Sequence, residues 1–270
     1  MNWREKLTAA TTQNNSLLCV GLDTDLIRLP KFLMEASRNP QLDFNKAIID
    51  ATKDLVCAYK LNMAFYEVCE VSGLEALKKT IQYIPHNIFI ILDGKRNDIG
   101  NTAQKYANAL FETLQADAVT INPYLGKDGV MPFLDYKDKC SFILCRTSNP
   151  SAGDFQDLKV SSTPVYQIVA QKIHEWNTNK NCGAVVGATY PEELKTVRTI
   201  LGEDIPILIP GIGKQGGDIG KTVRNGTNLK GDMAIINSSR EILFAGQQQD
   251  FAEQSRIKAE SVRNEINKFR

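Results

Sequence analysis

Ile88-Phe89-Ile90-Ile91-Leu92-Asp93-Gly94-Lys95-Arg96-Asn97-Asp98 passes without a break from an apolar run into a cluster of two acids and two bases. The apolar part reads as a strand buried on both faces, so the charges emerge where that strand ends. Asp93 and Lys95 are two residues apart, which puts both on one face of an extended strand end. Asp98 stands where Asp98-Ile99-Gly100-Asn101-Thr102 opens a helix. Taken alone, the cluster also fits a solvated strand-to-helix turn with Asp98 as its N-cap. The rest of the chain has to decide between the two.

Working outward, short apolar runs of the same kind recur at 17–22, 56–61, 118–121, 141–145, 183–186, 207–210 and 233–236. Amphipathic stretches of helical length lie between them, at 44–55, 102–114, 165–176, 191–201 and 251–269. Pro191-Glu192-Glu193 is a good helix start, with proline early and acids in the first turn. Eight β/α alternations in about 250 residues favour a closed parallel (β/α)8 TIM barrel over an open doubly wound sheet. No composition break marks a second domain, so residues 1–270 are expected to form one α/β barrel domain. The polar stretch 149–163 is expected to be a long loop, a candidate ligand cover. Residues 30–43 are expected to form an irregular insertion.

The 270 residues carry 32 basic and 31 acidic side chains, a net charge of +1. That balance gives no electrostatic case for nucleic acid or an anionic membrane surface, so an anionic ligand must be held by local charges. The first residues lead into Thr- and Gln-containing sequence without the apolar core of a secretory signal. No apolar run approaches a membrane span. Cys19, Cys57, Cys69, Cys140, Cys145 and Cys182 form no CxxC pair, and most sit in strand-like runs, as buried thiols of a reducing cytoplasm would. With only His86 and His174, both read as surface or capping residues, His-based triads and His-ligated zinc are disfavoured.

In barrels of this type the chemistry sits at the C-terminal ends of the strands. The run ends here carry Asp23, then Lys60 and Asn62, then the opening cluster, then Thr147-Ser148-Asn149. The seventh runs into Pro210-Gly211-Ile212-Gly213-Lys214-Gln215-Gly216-Gly217, and the eighth ends Asn237-Ser238-Ser239-Arg240. Gly211-Ile212-Gly213-Lys214-Gln215-Gly216 matches G-x-G-x-x-G, but a dinucleotide fingerprint belongs to a mononucleotide-binding half of an open sheet, usually its first unit. After a seventh strand, glycines such as Gly213 and Gly216 suit the phosphate site that barrels build from their last two loops. Arg240 can supply a bidentate charge to such a phosphate.

Together, Gly21-Leu22-Asp23, Tyr59-Lys60-Leu61-Asn62, the Asp93–Thr102 stretch, Thr147-Ser148-Asn149-Pro150, the glycine-rich loop and Ser239-Arg240 resemble orotidine 5′-phosphate decarboxylases, in their longer bacterial form. The resemblance covers roughly residues 17 to 245. It implies decarboxylation of orotidine 5′-phosphate to uridine 5′-phosphate and CO2, the last step of de novo UMP synthesis, with no cofactor and no metal. Lys60, Asp93, Lys95 and Asp98 would form an alternating charge array, with Lys95 as proton donor. Asp98 and Thr102 would reach into the site of a second subunit, making the enzyme a homodimer. Asp23 and Lys60 would bind ribose hydroxyls, Ser148 the pyrimidine, and Gln215 and Arg240 the 5′-phosphate. One departure is Asn97, where the family pattern has glycine. Asn tolerates left-handed backbone better than most residues, so the turn is expected to survive. Arg96 is expected in an intersubunit or core salt bridge rather than in catalysis.

The chemistry suits these residue types. Loss of CO2 leaves electron density on C6 of the ring, and a fixed ammonium there both stabilises the carbanion and delivers a proton. A carboxylate beside the departing group disfavours the charged ground state. Interleaved acids and lysines keep one another ionised. Three alternatives stand beside this reading: a metal-dependent decarboxylase of β-keto sugar phosphates on the same barrel, which would need a further acidic ligand on strand two, a Schiff-base aldolase, and a non-catalytic phosphate-binding barrel.

Overall fold

The computed structural model describes residues 1–213 and 216–270. Eight parallel strands close into a barrel in sequential order. They are β1 (Leu18–Gly21), β2 (Ala58–Asn62), β3 (Phe89–Arg96), β4 (Ala118–Ile121), β5 (Cys140–Arg146), β6 (Cys182–Val186), β7 (Ile207–Pro210) and β8 (Ala234–Ser238). β1 pairs with both β2 and β8, which completes the ring. Every apolar run read as a strand is one, because a closed parallel barrel buries both faces of each strand and leaves no edge. The stretch at 149–163 is more structured than a loop: a 3-10 turn (Pro150–Ala152), a short helix (Gly153–Gln156) and a two-stranded ladder pairing Lys159–Val160 with Thr163–Pro164. Residues 30–43 are likewise not irregular, since they contain the helix Lys31–Ala36 and the start of Pro40–Thr52. Asn39 caps the second of these through its side chain, and Pro40 occupies the first turn.

Alternation along the strands separates two cores. Leu18, Val20, Leu61, Val119 and Ile236 face the surrounding helices, while Cys19, Phe89, Ile91, Phe142, Leu208 and Ile235 fill the barrel interior. Trp3 and Leu7 join the interior cluster from the N-terminal helix Trp3–Gln13. Their i, i+4 spacing puts them on one face, and an Asn2/Glu5 capping box fixes the helix start. A backbone bond from Trp3 to the Asp138 carbonyl at 2.9 Å docks this helix across the N-terminal end of the barrel. The C-terminal helix Phe251–Asn267 packs on Pro40–Thr52, where Phe44 and Phe251 stack at 5.0 Å. Five of the cysteines are buried and Cys69 is half-buried; burial pushes the thiols of Cys57, Cys145 and Cys182 up to about 12. No helix of the described residues is long and apolar enough to cross a membrane.

Arg198 has no counterpart in the sequence reading. Its buried guanidinium donates to the carbonyls of Gly202, Ile205, Gly226 and Met233 at 2.7–3.0 Å. Burial pulls its pKa down to about 10, and Glu203 opposes that shift. One side chain thereby fastens the loops that lead into β7 and β8. Arg198→Ala is expected to lower the unfolding free energy by about 3 kcal/mol or more, because several buried carbonyls lose their donor at once. A urea titration showing a change below about 1 kcal/mol, the size of a single ordinary hydrogen bond, would contradict this role.

Candidate active site

The C-terminal ends of the strands enclose a cavity of about 510 Å³. Register decides who meets at its floor: β1 and β2 set Gly21 beside Lys60, and β2 and β3 set Asn62 beside Asp93. Lys60 Nζ lies 3.3 Å from Asp23 Oδ1 and 3.1 Å from Asp93 Oδ2. Lys95 Nζ lies 2.7 Å from Asp93 Oδ1. Signs thus alternate along Asp23, Lys60, Asp93 and Lys95. Asp93 is saturated: it also accepts from Thr120 Oγ1 at 2.7 Å and Asn62 Nδ2 at 3.4 Å.

The period-two reading of Asp93 and Lys95 holds, but by a different route from a plain strand. The β3–β4 register shifts between Leu92 and Arg96, and Lys95 adopts φ +47°. A non-glycine residue in that region is uncommon and is kept there only by its surroundings. Thr120 Oγ1 accepts the Lys95 N–H at 3.1 Å and so holds both ends of the bulge. The left-handed turn expected at Asn97 is therefore at Lys95. Asn97 instead donates from its side chain to the Asn122 carbonyl, with its Oδ1 packed over Gly129, where a Cβ would lie 2.7 Å away. Arg96 pairs with Glu67 of the same chain, a partly exposed bridge.

Burial separates the two lysines. The Lys60 side chain is 5% exposed, while that of Lys95 is 47% exposed and opens onto the cavity. Desolvation alone would pull Lys60 down, but the carboxylates of Asp23 and Asp93 outweigh it and hold the ammonium above the ordinary lysine range. Burial pushes the Asp93 carboxyl up, and Lys60 and Lys95 outweigh it, holding the group well below the usual carboxylate range. Both groups stay ionised across neutral pH.

Gly211, Ile212 and Arg240 line the cavity from the segments after β7 and β8, while Gly213 and Gly216 are not among its lining residues. Gly211, Gly213 and Gly216 have φ of +103°, +74° and +85°. The Gly216 N–H bonds the Gly213 carbonyl at 2.8 Å. Arg240 lines the cavity beside Ser239 and Glu241. Gly21 is required here, since a Cβ would meet Ser239 Oγ at 1.9 Å. Gln215 lies outside the described residues. Asp23, Lys60, Asp93, Lys95, Ser148 and Arg240 all line the one cavity; Asp98 and Thr102 do not. Asp98 is not an N-cap either: Ile99 occupies that position of the helix Gly100–Asn108, and Asp98 Oδ1 accepts the Ile99 N–H at 2.8 Å. Sequence reasoning missed Thr120 and Gln156 as lining residues, while Asn62 and Asn237, read only as strand-end polar residues, also line the cavity. Thr120 was readable as the single hydroxyl within the apolar run 118–121. Among the described residues no group of three or more His, Cys, Asp or Glu is placed to hold a metal ion.

A closed barrel whose C-terminal cavity holds a buried alternating charge array and an arginine has the architecture of a barrel enzyme. The chain belongs to the Orotidine 5'-phosphate decarboxylase / HUMPS family, whose sequence model matches residues 16–254. It is 50% identical to an orotidine 5'-phosphate decarboxylase of Cellvibrio japonicus over 99% of this chain and 98% of that one. It is 48% identical to that of Ralstonia nicotianae over the full length of both. The OMP decarboxylase structure of Leishmania donovani superposes with a TM-score of 0.87 at 34% identity, covering 100% of this chain and 98% of that one.

The lowered carboxyl of Asp93 has a consequence for stability. A group whose folded pKa lies below its unfolded value contributes fully above the unfolded value of about 3.9 and loses that contribution as pH falls below it. The stability of the wild-type protein relative to Asp93→Asn is therefore expected to be flat at neutral pH and to fall below about pH 4. Urea midpoints of both proteins across that range check it; a difference that begins to fall near pH 6 would be inconsistent with a carboxyl held low.

Proposed function

We propose that this barrel decarboxylates orotidine 5′-phosphate to uridine 5′-phosphate and CO2 without a cofactor, and that residues 1–270 act as one catalytic barrel. The observation that carries the reading is the exposed Lys95 ammonium 2.7 Å from the buried Asp93 carboxylate, at the floor of the cavity that Arg240 also lines. With the phosphate at Arg240 and the glycine turns, the ring lies over Lys95 and Asp93. Asp93 then faces the substrate carboxylate, and repulsion there falls as CO2 departs. Lys95 stabilises the electron density left on C6 and gives it a proton. Asp23 and Lys60 take the ribose hydroxyls, Ser148 the pyrimidine, and Gln215 joins Arg240 on the phosphate. Lys60 also fixes Asp93 in its ionised form. At the end of β2, where the metal-dependent alternative needs a further acid, stands Asn62. The buried thiols suit the reducing cytoplasm.

Asp98 and Thr102 are assigned to the site of a second copy. In support, both lie outside their own cavity, and apolar side chains stand exposed on the segments after β2, β3 and β4: Val68, Val71, Ile99 and Tyr124 are each more than half exposed. A two-fold dimer burying that face would bring Asp98 to the partner's array.

Orotidine 5′-phosphate mixed with the protein is expected to lose its ultraviolet absorbance, and Lys95→Ala is expected to slow this by at least about 10³-fold, the scale of losing a transition-state charge partner. Full turnover in that variant would sink the mechanism. Subunit assignment has its own check. Lys95→Ala and Asp98→Ala subunits, each inactive alone, are expected to regain about a quarter of wild-type activity when mixed, since random two-fold pairing leaves one intact site in each mixed dimer. No recovery in a mixture shown to exchange subunits would place Asp98 in its own site.

A further inference from the structure

Arg146, at the end of β5, is 2% exposed and its guanidinium lies outside the charge array. Its fork reaches three separate pieces of chain. Nη1 donates to Gln156 Oε1 at 3.2 Å and to the Thr147 carbonyl at 3.4 Å, and Nη2 meets Asp157 Oδ2 at 3.1 Å. The guanidinium also stacks 3.8 Å over the ring of Tyr190, the residue before the helix Pro191–Leu201.

Gln156 completes the arrangement. Its Oε1 accepts the Thr147 N–H at 2.8 Å, and its Nε2 donates to Thr147 Oγ1 at 2.8 Å. Thr147 Oγ1 in turn donates to Asn149 Oδ1 at 2.7 Å. The N–H, the carbonyl and the hydroxyl of Thr147, the residue before Ser148, are therefore all held. From the other side Gly187 presses on Ser148 so closely that a Cβ would lie 2.7 Å from the Ser148 Cβ and 2.9 Å from its nitrogen. Ser148 has little freedom in such a setting, and it lines the cavity together with Gln156. By contrast, the carboxylate that Arg146 meets, that of Asp157, is half exposed. A buried cation with one solvated counterion is a weak stabilising device. Its geometry is better suited to holding the segment 153–157 against the strand end.

We propose that Arg146 and Gln156 form a latch that positions Ser148 against the ligand's base, so that the pair sets recognition of the pyrimidine and not of the phosphate. Arg146 is a positioning residue, acting through Gln156 and Thr147; Gln156 belongs to the cavity wall itself. This rests on the reading of the cavity as a nucleotide site with Ser148 at the pyrimidine. The proposed phosphate side at Gly211, Gly213 and Arg240 lies in the segments after β7 and β8, and these residues share none of the latch's hydrogen bonds.

The test compares two ligands that differ by the base. Binding of UMP and of ribose 5-phosphate is measured by calorimetry for the wild-type protein, Arg146→Ala and Gln156→Ala. The latch predicts that each variant weakens UMP by about tenfold or more while changing ribose 5-phosphate by less than about twofold, the pattern of an interaction confined to one part of a ligand. Arg146→Lys is expected to behave like Arg146→Ala, because an ammonium cannot reproduce the fork or the stacking on Tyr190. A merely structural role would lower the affinity for both ligands together. If the ratio of the two affinities moves by less than about threefold in the variants, the proposal is overturned. Should Arg146→Ala fail to fold, Gln156→Ala alone carries the same comparison. Failure of the wild-type protein to turn over orotidine 5′-phosphate would overturn the functional reading instead, and that outcome is read independently of the ratio.

Discussion

One buried carboxylate between two ammonium groups organises this molecule. Asp93 can stay ionised at 7% exposure only because Lys60 and Lys95 flank it and Thr120 and Asn62 fill its remaining acceptor positions. Charges so far from water are tolerated only in complete sets. Its members tie four strands together: Asp23 follows β1, Lys60 lies on β2, Asp93 and Lys95 on β3, and Thr120 on β4. The barrel supplies five points in space from four consecutive strands, and the requirement that they interlock fixes the register between those strands as firmly as the apolar alternation does.

The bulge at Lys95 shows how this requirement overrides local preference. A regular strand would have aimed its side chains alternately along a twisted surface. The left-handed backbone at Lys95 re-aims one residue so that its ammonium meets the carboxylate two positions earlier. Strain of this kind survives where the neighbours over-determine it, and here Thr120 does so by bonding both partners.

Much of this could be read in the chain. Runs such as 118–121 and 207–210 coincide with their strands because burial on both faces writes an unbroken apolar signal. Asp23, Lys60, Asp93, Lys95, Ser148 and Arg240 were readable as strand-end polar residues in a barrel, and they do meet in one cavity. What stayed illegible depends on contacts distant in sequence. The helix Trp3–Gln13 has ordinary polar composition, and its purpose emerges only when Trp3 and Leu7 are found among Phe89 and Phe142. Arg146, Gln156 and Tyr190 carry no spacing signal, since their relation is created by the fold. The left-handed backbone falls at Lys95 and not at Asn97, because a single sequence does not reveal which residue of a turn takes the strain.

The N-terminal helix has a consequence for traffic. With Trp3 and Leu7 stoppering one end and close-packed side chains filling the middle, the described residues leave the cavity one doorway, the rim at the C-terminal ends of the strands. Whatever enters by the rim must leave by the rim, so a small neutral gas and a bulky dianion share an exit. Reversal of the reaction would require the gas to return through a doorway that the nucleotide still occupies.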